Sequence, residues 1–334
     1  MFQLNLSTAV IRSFKHKIVN YYLSITLLSA AIAVMSGCQT IHLSPTADST
    51  VSHPLTAQMP VIDRQGRIAY IEEQGVGKDK VSSLYSIRPD GSDRQLIEQI
   101  NGYIYAPTWS ADGQLLAYSK QGQRDYIKIY SYNQSTQHIT KIVDVSGSSL
   151  SPSFSPDGQK LLYSSTVGGN ADIYERRLSD GATTQLTTLP STEAQPSYAP
   201  DGHSFVYVSD KVRAGSPRLY RYHFATGKAT PINTSGYAAS PQFSADGRRI
   251  SYLNGRQAAI MTLATGQIVT VADTGIDESA ALSPSGHYAV YASRHADGGG
   301  RSSSGLVIRS LSGGTGYTIS SKAGGLVRSP TWGR

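Results

Sequence analysis

The stretch Ser151–Ser165, "SPSFSPDGQKLLYSS", returns along the chain with small changes. Its variants are "APTWSADGQLLAYSK" from Ala106, "QPSYAPDGHSFVYVS" from Gln195 and "SPQFSADGRRISYLN" from Ser240. A worn copy, "AALSPSGHYAVYAS", starts at Ala280, and a fragment, "SPTWGR", ends the chain. The marker is a tyrosine five residues after each turn glycine: Tyr118, Tyr163, Tyr207, Tyr252 and Tyr291, with Tyr70 in "GRIAYI" in the same series. Successive spacings are 48, 45, 44, 45 and 39 residues. A four-stranded propeller blade takes about 40–45 residues, so six units predict six blades.

Each unit has one internal grammar. A "PxW", "PxF" or "PxY" strand leads into an Asp-Gly or Ser-Gly turn with positive φ. An apolar strand follows, such as "LLAYS" or "FVYVS", then a third such as "IKIYSY" or "RLYRYHF", and a fourth such as "TTQLT" closes the unit. The second strands are apolar on both faces: Leu116 and Tyr118 point one way, Leu115 and Ala117 the other. A sheet with two apolar faces has to be covered twice, which a blade between two neighbours achieves and a two-layer sandwich does not. The first unit lacks a good "PxW" strand, and the chain ends on one. Ser329–Trp332 is therefore expected to be the innermost strand of blade 1, closing the ring without a free edge. The fold class is all-β, a six-bladed propeller.

The N-terminus belongs to another regime. Arg12, Lys15 and Lys17 precede an apolar run from about Tyr21 to Met35, with no acid before Cys38. Residues 1–37 read as a secretory signal, their apolar run being short for a transmembrane helix. "VMSGC" resembles a bacterial lipobox, making Cys38, the single cysteine of the chain, the lipidated residue; the plainer alternative is ordinary cleavage leaving a free thiol. Gln39 in place of an aspartate suggests sorting to the outer membrane, with the protein in the periplasm. Residues 38–59, rich in Ser, Thr, Pro and Ala, read as a flexible tether, and residues 60–334 as the propeller. Removing residues 1–37 takes away three bases and no acid, leaving 27 basic and 23 acidic groups, a net +4. So mild a balance, without a Lys/Arg run, gives no support to nucleic-acid binding. One cysteine permits no internal disulfide.

The chain carries no G-x-S-x-G elbow, H-E-x-x-H or C-x-x-C, and "GGGRSSSG" (298–305) has neither dinucleotide nor P-loop spacing. Asp112, Asp157, Asp201 and Asp246 form a ring of acids, but aspartate before a turn glycine serves backbone geometry. Histidines 42, 53, 138, 203, 223, 287 and 295 are scattered. No catalytic residue, metal site or cofactor is expected, although a structural calcium in the channel is compatible with the pattern. The informative residues lie in the loops that enter each inner strand, which gather at one mouth of the channel. Tyr103, Tyr105 and Tyr237 offer rigid amphipathic surface; Asp277 and Glu278 add negative charge and Arg328 a positive group. With Ser148 and Glu193, these form the expected partner-binding face.

The phrases "GGNADIYERRLSDGATTQLT" (168–187), "GIDESAALSPSG" (275–286) and "VRSPTW" (327–332) resemble the TolB family of the bacterial Tol-Pal envelope system, over about residues 66–334. The middle phrase is similar to the family's Asp-Glu-Thr-Pro loop, matched by Asp277, Glu278 and Ser279, with Ala280 in place of the proline. The resemblance implies a non-enzymatic six-bladed propeller that binds the peptidoglycan-associated lipoprotein Pal across the loop face, with other Tol proteins as further contacts. It would support outer-membrane integrity and cell division. The family's α/β domain and TolA-binding segment have no match in the tether, and the family is normally soluble where this chain reads as lipidated. A TolB-like paralogue with another partner is thus a further expectation. The alternatives from other classes are a carbohydrate- or peptide-handling propeller, such as a metal-dependent lyase, and an outer-membrane sensor or assembly lipoprotein unrelated to Tol-Pal.

Overall fold

The computed structural model describes residues 54–122, 125–296 and 302–334. The signal segment, Cys38 and the tether up to residue 53 lie outside them. The described residues build six four-stranded antiparallel sheets arranged as blades. From blade 1 to blade 6 the innermost strands are Leu326–Gly333, Tyr103–Trp109, Ser149–Phe154, Glu193–Tyr198, Ala238–Phe243 and Ala281–Leu282. The last strand of the chain pairs antiparallel with Arg67–Gln74, joining Ile68 to Trp332 and Glu72 to Val327. The ring closes as the repeat predicted.

Alternation along each strand sends its side chains to two different seams. Leu116 and Tyr118 pack with Ala69, Ile71 and Leu84 between blades 1 and 2, while Ala117 packs with Leu161 and Tyr163 between blades 2 and 3. Four further clusters fill the other seams. The marker tyrosines 70, 118, 163, 207 and 252 are essentially inaccessible. Four of them lie opposite a tyrosine of the third strand, at Tyr85, Tyr130, Tyr174 and Tyr220. Their ring centroids are 5.5–6.1 Å apart. Each such pair contributes roughly 0.5–1.5 kcal/mol beyond its buried area, which is why tyrosine recurs at this step of the repeat.

The turn acids are structural. Asp157 Oδ1 accepts from Ser155 Oγ (2.5 Å) and Gln159 N (3.0 Å), and Lys160 N donates to Ser155 Oγ (2.8 Å). Gly158, at φ 69°, completes the turn where a side chain would be strained. The same bonds form around Asp112 and Asp246. In blade 6 the turn reads Ser283-Pro-Ser-Gly286 and has no acid. Asp63, fully buried, supplies the carboxylate from outside: it accepts from Ser285 N (2.8 Å), Ser285 Oγ (2.5 Å) and Ser283 Oγ (3.1 Å).

Asp63 stands on a short helix, Val61–Gln65, preceded by a helical turn at Pro54–Ala57. Met59 is buried in the seam between blades 6 and 1, and Leu55 packs against it. Residues 54–59, the last six of the expected tether, thus pack on the ring, because apolar residues hidden in a Ser/Thr/Pro-rich stretch find a seam to fill. Replacing Asp63 by Ala should leave three donors unsatisfied and lower stability by about 2–4 kcal/mol in urea unfolding. Asp112→Ala, at an exposed turn, should cost about 1 kcal/mol.

Candidate functional site

The innermost strands are not regular. In five blades two residues of this strand oppose one residue of the second: Ala106–Pro107, Ser151–Pro152, Gln195–Pro196, Ser240–Pro241 and Ser329–Pro330. The first residue of each pair is left-handed, with φ between 46° and 54°. Such a conformation costs about 1–2 kcal/mol in a residue with a side chain. The second is proline, which has no N–H to offer a ladder and belongs at a bulge. This is the structural content of the "SP" that opens the repeat. Blade 6 has Ala280 instead of proline; its left-handed residue is Asp277 (φ 53°), and its inner ladder shrinks to Ala281–Leu282.

The bulges turn these residues into the channel, where the five prolines line a cavity of about 640 Å³ at one end. Tyr103, Tyr105, Asp277, Glu278 and Arg328 line the same cavity, together with Glu73, Lys80 and Arg294. A second cavity of about 390 Å³ occupies the other end. The two share Thr108, Ser153, Ser197 and Gln242 as a polar waist. Here Ser153 Oγ accepts from Tyr198 N (3.0 Å) and Ser197 Oγ from Phe243 N (3.2 Å), so each hydroxyl ties its blade to the next.

A chain of charges crosses the mouth at the seam between blades 1 and 6. Lys80 Nζ lies 2.7 Å from Glu73 Oε2, Arg328 Nη1 3.7 Å from the same oxygen, and Arg328 Nε donates to Glu278 Oε1 (2.8 Å). Ser329 N donates to Glu278 Oε2 (2.6 Å). Burial works against the charge on Arg328, yet Glu278 and Glu73 outweigh it and hold the guanidinium above its ordinary value. Tyr103 and Tyr105 stack 5.8 Å apart and nearly parallel, with Lys80 Nζ 5.6 Å from the Tyr103 ring. Burial, chiefly, raises the Tyr105 hydroxyl above its usual range. Asp277 has a weaker partner: Arg256 Nε is 3.2 Å from its Oδ1, at an angle that makes no hydrogen bond, on a side chain 65% exposed.

Of the eight expected contact residues, five therefore meet at the cavity. Tyr237 stands outside its lining; it is half-buried, and burial first, then Asp277, pushes its hydroxyl up to about 12. Ser148 is a loop tie, its N donating to Thr166 Oγ1 (3.0 Å). Glu193 does not reach the surface: it is fully buried, accepting from Ser191 Oγ (2.5 Å) and Ser209 Oγ (2.8 Å) on one oxygen. Its place in the loop "STEA" gave no sign that the strand begins there and turns it inward. Glu73 and Lys80 were missed by the sequence reading. The available signal was "EE" after the apolar "IAYI", two acids in succession on a central blade strand; the first, Glu72, accepts from Ala323 N (2.7 Å) and Lys322 N (3.0 Å).

Two outcomes follow from these charges. Glu278→Ala should leave Arg328 buried with only the distant Glu73 and lower stability by roughly 3 kcal/mol, whereas Asp277→Ala should change it by less than about 1 kcal/mol; chemical denaturation separates them. Glu193 is pushed up to about 7, by burial above all and also by the neighbouring Asp172, whose carboxyl burial raises too. The folded state then keeps a proton that the unfolded state loses from about pH 4.5 upward, so stability falls as pH rises to about 7 and levels beyond. Glu193→Gln should remove this loss, gaining on the order of 2–3 kcal/mol over the wild type at pH 8 relative to pH 5 in urea titrations.

Comparison with known proteins agrees with the geometry. A family model described as the TolB beta propeller domain matches residues 55–334. The Tol-Pal system protein TolB of Francisella tularensis subsp. tularensis (strain WY96-3418) is 28% identical over 345 residues, covering 98% of this chain and 70% of the relative. Among solved structures, TolB from Acinetobacter baumannii superposes with a TM-score of 0.69 at 30% identity, over 81% of this chain and 67% of that one. A TolB-type protein from Agrobacterium tumefaciens, at 20% identity and a TM-score of 0.56 over 76% and 89% of the two chains, shares the fold.

Proposed function

We propose, because the chain belongs to the family of TolB beta propeller domains, that it is a non-enzymatic scaffold of the cell envelope whose channel mouth docks a protein. The partner of this reading is the peptidoglycan-associated lipoprotein Pal or a Pal-like protein, in support of outer-membrane integrity and cell division. The protein is held in the periplasm by a lipid on Cys38 after removal of residues 1–37. Support for the anchor comes from the "VMSGC" box; among the described residues no helix is long and apolar enough to cross a membrane.

One observation carries the reading. The six blades bring the loops entering their inner strands to one funnel, and its wall is built from prolines, stacked tyrosines and ion pairs that are already made. Rigid aromatic and proline surface loses little conformational entropy on contact. The charges at the seam are spent on each other, which suits orientation and specificity better than chemistry. Among the described residues no histidine or cysteine lines the funnel, and no three His, Cys, Asp or Glu side chains gather in metal-binding geometry.

Calorimetric titration of the protein with the periplasmic domain of Pal from the same organism tests this. One-to-one saturable binding is expected, weakened about 10-fold or more by Tyr103→Ala together with Asp277→Ala, both of which leave the Glu73–Arg328–Glu278 chain intact. Absence of heat, with no competition by Pal for an added fluorescent Pal domain, overturns it.

A further inference from the structure

The path of the chain gives the two ends of the propeller different roles. The N-terminal stretch joins the ring at the end away from the mouth. There Asp63 holds the 283–286 turn, and Thr56 Oγ1 donates to Tyr317 Oη (3.3 Å), which in turn donates to Pro89 O. At the mouth end, the hairpins between the second and third strands of blades 1, 3 and 4 each lift a valine into solvent. Val76 is 83% exposed, Val167 40% and Val212 75%. Leu189, also 40% exposed, lies on the loop from blade 3 to blade 4. Asn170 Nδ2 ties it to the Val167 hairpin by donating to Leu189 O (2.6 Å) and Ser191 O (2.9 Å).

Single exposed apolar residues are ordinary on any protein; their distribution is not ordinary here. Four of the eight most exposed large apolar side chains among the described residues stand around one end of one channel, and Val76 lines the mouth cavity itself. Cations accompany them. Lys211 and Arg213 flank Val212, both exposed. The neighbouring Asp210 is occupied in the loop, accepting from Thr192 N (2.9 Å) and Gly215 N (2.9 Å). At blade 1, Lys78 and Asp79 offset one another, so the positive excess sits at blade 4.

Resting on the reading that the mouth docks a protein, we infer that the valine tips are its contact posts and that the partner presents an acidic surface with apolar side chains at its centre. Valines flanked by cations would also suit an anionic bilayer. Val76 lines the mouth cavity itself, however, so the tips continue the site that this reading gives to a protein. The docking surface therefore reads a protein, with apolar posts supplying affinity and the blade 4 cations steering approach.

The test uses full-length protein in detergent and the Pal periplasmic domain as probe. Val76→Ser with Val212→Ser should weaken binding by at least about 10-fold with an unchanged melting temperature, since both side chains are in solvent. Lys211→Glu with Arg213→Glu should slow association and flatten its salt dependence. Wild-type binding that V76S/V212S leaves within about twofold overturns the inference while the docking function stands. A wild type that does not bind Pal overturns both. Co-sedimentation of unlipidated Cys38→Ser protein with phosphatidylglycerol vesicles, lost when V76S/V212S is added, overturns it in favour of a lipid surface.

Discussion

Everything in this molecule depends on the ladder between Leu326–Gly333 and Arg67–Gln74. A blade is a sheet with two apolar faces, and each face is dry only if a neighbour covers it. Six blades in a row would leave two such faces in water and two open edges. Pairing the last strand with the first unit's strands turns the row into a ring, so that six seams exist where a row would have five. Burial and closure are thus one event, and no blade is independently stable. The N-terminal residues reinforce the joint from outside, with Met59 in the closing seam and Asp63 on the turn of blade 6.

The constraint that closes the ring also shapes the mouth. Inner strands crowd around the axis, and their bulges relieve the crowding by letting one strand bend away from its partner. The left-handed residues at Ala106, Ser151, Gln195, Ser240 and Ser329 are the local expense of that bend. Part of it is offset by bonds that only the bulge permits, such as Ser240 N donating to Gln195 Oε1 (2.7 Å) and Gln195 Nε2 to Ser240 Oγ (3.1 Å). Function and architecture therefore share residues: prolines that satisfy a bulge become the wall of the cavity. At the blade 1–6 seam, Glu278 and Arg328 serve the closure before they serve any partner. A surface built from such residues tolerates change poorly, while a substitution at the solvent-exposed hairpin tips around it leaves the ring's packing untouched.

The repeat was legible because its signals are local. An Asp-Gly turn, a proline two residues before an aromatic, and a tyrosine five residues after a glycine each reflect a demand met within one blade. Their period counted the blades, and the orphan "SPTW" at the chain end disclosed the closure. The site was legible in part. Loops entering inner strands converge by topology, so Tyr103, Tyr105, Asp277, Glu278 and Arg328 could be placed at one mouth before any coordinates. Glu193 could not, since a one-residue difference in where a strand begins reverses the direction of a side chain.

By itself, then, the sequence determined the number of blades, the position of their turns, the closing strand and the loops that share the mouth. Periodicity and turn chemistry depend on neighbours in the chain and so survive in the order of residues. Only the tertiary structure decided which charges are spent. Glu73 and Arg328 stand 255 positions apart in the chain, and Asp63 meets a turn 220 positions away. Their partnerships arise from ring closure: the repeat discloses that the last strand joins the first blade, but no local pattern says which charges meet across that seam.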